Sequence, residues 1–191
     1  MKIKISKSIA TSLICILISA NVYASVTMID GTGFSNSIDV QKSRLYLKGA
    51  ALLRYWIFVE AYAGALYLPK NSNGDQALDD IMKSLELEYR VAISADDFAR
   101  ATRQKIKETV SNSTFNRLLP KIETLNRLYK SVRPGDRYAL TYVPGEGTQL
   151  IYNSTLLGRI EGADFATALF GIWIGDDPID KGFRDKLLGK E

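Results

Sequence analysis

Residues Phe58 to Lys70 read FVEAYAGALYLPK, and no other stretch restricts the fold of this chain as strongly. With a period of two, one side carries Phe58, Glu60, Tyr62, Gly64, Leu66 and Leu68. The other carries Val59, Ala61, Ala63, Ala65 and Tyr67. A strand that is apolar on both sides is a central strand, covered above and below. The alanines at 61, 63 and 65 leave space close to the backbone on one side. Such a space calls for a closely packed helix or a ligand.

The neighbouring segments fit a sheet around this strand. Phe34 to Val40 and Arg44 to Arg54 read as strands, with Gly49 as a bulge or point of close approach, and the central strand runs from Tyr55 to Leu68. A loop at Pro69 to Gly74, a short helix from Asp75 to Ser84 and a strand from Leu85 to Ile93 follow. Ser94-Ala95-Asp96-Asp97 reads as a capping box opening a helix with the inner stripe Phe98, Thr102, Ile106 and Val110. A second helix carries Phe115, Leu118, Ile122, Leu125 and Tyr129, and Pro120 kinks it or marks its start.

Arg137 to Val143 and Thr148 to Asn153 flank the turn Pro144 to Gly147 as a hairpin, and Leu157 to Glu161 extends the meander. A short helix bears Phe165, Leu169 and Ile172. The last helix has Asp177 as N-cap, Pro178 at its first position, Ile179, Phe183 and Leu187 on one face, and Gly189 as its stop. Strands first, helices clustered in the middle and a hairpin before the closing helices give an α+β fold, an antiparallel sheet with helices on one face.

The first 24 residues constitute a secretory signal by pattern: Lys2, Lys4 and Lys7, an apolar run from Ile9 to Ala20, and small residues up to a cleavage point after Ala24. Residues 25–191 then form one domain. Three of the 25 basic residues and none of the 21 acidic ones lie in the leader, so the remainder carries 22 against 21, a net charge of +1. A nucleic-acid partner is therefore not expected. No later segment approaches about 18 uninterrupted apolar residues, so no membrane span is expected after cleavage. The single cysteine, Cys15, leaves with the leader. The chain has no histidine, which removes Ser-His and Cys-His nucleophile systems, His-bound zinc and a histidine base. No metal or cofactor is expected. Gly31-Thr32-Gly33 and Gly145-Glu146-Gly147 lack the continuation of a phosphate-binding loop.

The polar residues beside the central strand hold more interest. Arg54 and Tyr62 together would clamp a carboxylate through charge-assisted hydrogen bonds, whereas an Arg54–Glu60 ion pair or an exposed edge arginine is the structural alternative. On one continuous strand, positions 54 and 62 lie about 26 Å apart. A shared ligand therefore requires the chain to reverse near Leu53 to Trp56, where neither Gly nor Pro stands.

LYLKGAALLRYWIFVEAYAGALYLPK, YRVAISADDFARATRQKI and LFGIWIGDDPIDKGFRDKLLG resemble, in order, the bacterial exported branch of the chalcone isomerase-like family. That resemblance implies a large antiparallel sheet with helices layered on one side and a ligand cleft between them, lined by the strand quoted above. It also implies a periplasmic location. The plant enzymes present to that cleft an arginine, a threonine on the central strand, and a tyrosine and an asparagine on the following helix. In this chain the corresponding positions are Arg54, Tyr62, Phe98 and Lys105. Phe98 lacks the hydroxyl of the tyrosine it replaces, which argues against chalcone cyclisation. Fatty-acid-binding members of the superfamily hold the ligand carboxylate with an arginine and a tyrosine, to which Arg54 and Tyr62 are similar.

These readings converge on a periplasmic, non-catalytic protein that binds a small amphipathic or aromatic acid. Arg54 and Tyr62 would hold the acid, and the helix from Asp96 would form a wall through Phe98 and Ile106. Two alternatives stay open: a lyase or isomerase using Tyr62, Glu60 or Lys105, and an envelope scaffold that binds a protein partner and no ligand.

Overall fold

The computed structural model describes residues 25–55 and 59–190; the expected leader, and Phe58 of the stretch quoted above, lie outside them. A hairpin of β1 (Val26–Ile29) and β2 (Thr32–Ser35) opens the fold. The main sheet has seven strands, β3 (Ser37–Val40), β4 (Ser43–Tyr55), β5 (Val59–Pro69), β6 (Lys83–Tyr89), β7 (Arg137–Val143), β8 (Gly147–Tyr152) and β9 (Thr155–Ile160), all antiparallel and paired in chain order. A hydrogen bond of 2.8 Å from Gln41 to Glu146 joins the β3–β4 turn to the β7–β8 turn, so the sheet is curled into a half-barrel. Four helices complete the fold: α1 (Ala95–Thr109), α2 (Asn112–Leu128), α3 (Ala163–Ile174) and α4 (Lys181–Leu187).

β5 is buried on both faces, as its composition requires. Tyr62, Leu66 and Leu68 join the larger core under the helices. Ala63, Ala65 and Tyr67 join a second core with Phe34 and Leu45. The space beside the alanines is therefore filled by neither a helix nor a ligand. Phe34 of the N-terminal hairpin occupies it, with the Arg137 guanidinium 4.9 Å from its ring centre. Arg137 also donates to Glu86 (3.1 Å), Glu88 (2.6 Å) and the Gly33 carbonyl (3.1 Å). Glu88 and Glu86 stand directly opposite Ala63 and Ala65 across the β5–β6 ladder. The small side chains thus make room for an aromatic plug and an ion-pair cluster.

Glycines admit the helix on the other side. A Cβ at Gly64 would lie 2.6 Å from Phe183 Cζ of α4, and one at Gly49 would lie 2.0 Å from the Lys186 carbonyl at the end of the same helix. Gly49 also sits at a register shift between β4 and β5, so it serves both as bulge and as point of close approach. The partner for a tight helix contact is glycine on the sheet, and the alanine stripe serves the opposite face.

Three local expectations are corrected. Residues 75–84 form a single 3-10 turn, Gly74–Gln76, capped by Asn73, after which Lys83 and Ser84 already belong to β6. Lys83 is buried; its ammonium donates to the Asp79 carbonyl (2.6 Å) between the rings of Tyr142 and Phe170, and burial pushes its pKa down to about 8. The Asp79 carbonyl thus accepts from the Lys83 side chain and the Ile81 N–H (2.8 Å), neither of them the i+4 N–H of a helix. Pro120 lies inside α2 and does not start it; Ser111 caps that helix. The cap of α4 is Asp180, whose side chain accepts from the Phe183 N–H (2.6 Å), and not Asp177. The Ile179 N–H is already bonded to the Ile172 carbonyl (2.8 Å), which folds the segment before α4 back onto α3.

Because Phe34 is fully buried in the second core, truncation to alanine leaves a cavity against two strands. Phe34→Ala should lower the unfolding free energy by about 3–5 kcal/mol in urea titrations, whereas a loss under about 1 kcal/mol would show that the hairpin is not a plug.

Candidate functional site

A cavity of about 680 Å³ opens between the sheet and α1. Tyr62 from β5, Leu87 and Tyr89 from β6, Tyr138 and Leu140 from β7, and Leu150 from β8 form its floor. Phe98, Thr102 and Lys105 of α1, Tyr129 at the end of α2, Ile172 and Trp173 of α3 and the exposed Ile179 complete the walls. Its size falls within the range of about 300–1,000 Å³ typical of small-ligand sites.

The floor is an aromatic cluster. Tyr62 and Tyr89 meet edge to face at 5.4 Å, as do Tyr89 and Phe98 at 5.2 Å. Phe98 stacks on Tyr129 at 5.3 Å and meets the edge of Tyr138 at 5.6 Å. Each such contact adds about 0.5–1.5 kcal/mol beyond area burial, so the cluster holds the floor rigidly. Its hydroxyls are partly committed. Trp173 Nε1 donates to the Tyr62 hydroxyl at 2.9 Å, leaving that phenol's own proton to point elsewhere. The Thr102 and Tyr129 hydroxyls share a bond of 2.9 Å. Tyr138 accepts from the Lys130 N–H (2.7 Å) and donates to the Lys130 carbonyl (2.9 Å).

Burial raises the pKa of every one of these phenols. Tyr138 is pushed up to about 12, while Tyr62, Tyr89 and Tyr129 are pushed higher by desolvation. At neutral pH the floor therefore presents neutral hydroxyl groups that donate hydrogen bonds and do not act as phenolate bases.

Among the described lining residues, charge is confined to the rim. Asp97, Arg100 and Lys105 all stand on α1, and Arg100 is bonded to Asp97 at 3.0 Å. Lys105 reaches across to Asp177, on the segment between α3 and α4, at 2.9 Å.

Of the residues singled out in the sequence, Tyr62, Phe98 and Lys105 meet at this cavity. Arg54 is not among its described lining. The chain does reverse after β4, since Tyr55 pairs with Val59, but Leu53 pairs with Tyr62 and Arg54 with Glu60, leaving Ala61 as an extra residue. This bulge swaps the faces, so Glu60 and Tyr62 do not share a side despite their common parity. Arg54 donates to Glu60 at 3.2 Å and is exposed. Glu60 also accepts from Arg90, which in turn binds Asp30 of the N-terminal hairpin at 2.9 Å. The structural alternative of an Arg54–Glu60 ion pair is what forms. Ile106 is wholly buried beneath α1 and is also outside the lining.

The wall from α3 was not found by the sequence reading. Trp173 lies within GIWIGDD, where an apolar run around the whole helix hides which residue faces the sheet. The tyrosines at 89, 129 and 138 come from three elements, and only the fold brings them together.

A family model described as chalcone isomerase-like matches residues 26–189. No curated protein matches in sequence. Among solved structures, the crystal structure of an Arabidopsis thaliana fatty-acid binding protein is similar in fold, with a TM-score of 0.66 at 16% sequence identity, over 83% of this chain and 92% of that one.

The raised phenols tie stability to alkaline pH. Their folded pKa values exceed the unfolded value of about 10, so their contribution is whole below pH 10 and is lost as pH rises through about 12. Urea midpoints should fall over this window, and the cluster's phenolate absorbance should emerge together with unfolding. Ionisation of the cluster near pH 10 in the folded protein would contradict this packing.

Proposed function

This chain belongs to the chalcone isomerase-like family, and from that premise we propose that it is an exported, periplasmic protein that binds a small amphipathic carboxylic acid, fatty-acid-like, without transforming it. The observation that carries the reading is the cavity between sheet and α1, with an apolar, aromatic floor and cations only at its rim among the described lining residues. An amphipathic acid matches that division of polarity. The fold it shares with a fatty-acid binding protein supports the same choice. The exported location rests on the leader pattern of residues 1–24.

The same geometry weighs against a lyase working through Tyr62. A general base needs a pKa near the working pH, and burial moves the Tyr62 hydroxyl away from it. Tyr62, Phe98 and Lys105 contact the ligand in this reading. Arg54, engaged with Glu60, does not.

The test is native mass spectrometry of the protein taken from its own envelope fraction, followed by denaturing extraction. A co-purifying acyl or aromatic acid is expected. Ala101 lines the cavity and is exposed, so Ala101→Trp should block the opening and give an empty but folded protein. A wild-type protein that is empty and takes up no member of a panel of such acids would overturn the reading.

A further inference from the structure

Resting on that reading, we infer that the ligand binds with its carboxylate at the rim, on Lys105 in place of Asp177, and with its apolar body inward against Tyr62 and Trp173. The cavity floor supplies hydroxyls and rings but no cation among the described lining residues. An ionised carboxylate placed there would lose its hydration without a counter-charge, which is costly even where hydroxyls donate to it. The head group therefore belongs where the cations are.

Arg100 and Lys105 are the two cations of the described lining, and they differ. The Arg100 side chain is 71% exposed and tied to Asp97 within its own helix, so water and salt screen it. The Lys105 side chain is 18% exposed, and its main partner, Asp177 at 2.9 Å, is 70% exposed. Glu108, the other acid near Lys105, stands farther off at 3.9 Å. A half-sheltered ammonium held by a solvent-facing carboxylate is a replaceable pair. Release of Asp177 costs little because that carboxylate returns to water, while the ligand carboxylate gains a less screened cation. Asp177 is available for this because Asp180 caps α4 in its stead.

The pair also bridges α1 to the α3–α4 segment, whose exposed Ile179 lines the same opening. Displacement of Asp177 thus loosens the rim as the acid enters. Ligands of this class are monoanions with a single terminal carboxylate; a second charge at the far end would face the aromatic floor.

Calorimetry with dodecanoate and with dodecanol separates the contributions of head and body. Lys105→Met should weaken dodecanoate by about tenfold or more and leave dodecanol unchanged. Asp177→Asn should strengthen dodecanoate by a few-fold, since the competitor is removed, and Arg54→Ala should match wild type. If both Lys105→Met and Asp177→Asn bind dodecanoate as wild type does, the orientation is wrong while the binding function stands. An equal loss of acid and alcohol in Lys105→Met would assign Lys105 a packing role and also refute the head-group site. A wild-type protein that binds neither compound removes the binding reading itself.

Discussion

A strand with no exposed face must be roofed twice, and the rest of this molecule follows from how β5 meets that demand. The two roofs are built from opposite materials. On the helix side the strand offers Tyr62, Leu66 and Leu68 with Gly64 between them, so α4 can sink to the backbone through Phe183 while the larger side chains hold the other helices away. On the hollow side it offers alanines, and the sheet curls around Phe34 and the Arg137 ion pairs. Side-chain size alternating along one strand thus sets the height of the helices, the curvature of the sheet and the place where a cavity is left.

The polar residues are sorted by one irregularity. Had β5 run regularly through residue 61, Glu60 would share a side with Tyr62 and bring a carboxylate toward the helices. The bulge sends Glu60 to the other face, where Arg54 and Arg90 neutralise it. What remains under α1, among the described lining residues, is a floor whose polar side-chain atoms are uncharged phenols, with the ionic groups gathered on α1 and the α3–α4 segment. An aromatic floor with a charged rim separates apolar from polar surface within one cavity, the division of chemistry common in small-molecule sites.

Much of the architecture was legible because the signals were local. Period-two patterning around residues 58–68, the Ser94 cap and the hairpin turn at Pro144 to Gly147 each specify an element from within a few residues, and the α+β order follows. The failures share a cause. The helix expected at 75–84 gives way to a single 3-10 turn, after which the Lys83 ammonium reaches back to the Asp79 carbonyl four residues earlier. Asp177 was expected to cap the last helix, and the bond from the Ile179 N–H to α3 leaves that role to Asp180. Arg54 was paired with Tyr62 on residue type and resemblance, and the bulge at residue 61, which leaves no mark in a run of alanines and aromatics, sets Arg54 opposite Glu60 instead. Of the cavity, Tyr62, Phe98 and Lys105 could be named in advance from resemblance. Tyr89, Tyr129, Tyr138 and Trp173 could not, since nothing in their own surroundings distinguishes a core aromatic from one that borders a void.

The plug that closes the hollow side has a consequence for the order in which the chain can complete itself. The N-terminal hairpin is the first of the described elements to be synthesised, yet its seat includes Arg137, which grips the Gly33 carbonyl from 104 residues away. Until β7 exists, Phe34 has no finished site, and the growing chain carries an apolar hairpin in search of one. Closure over so long a span is slow relative to local pairing. An unfinished or stalled chain therefore keeps open the face of the sheet that Phe34 covers in the native protein, and any factor guarding the nascent protein would meet a demand at this N-terminal piece.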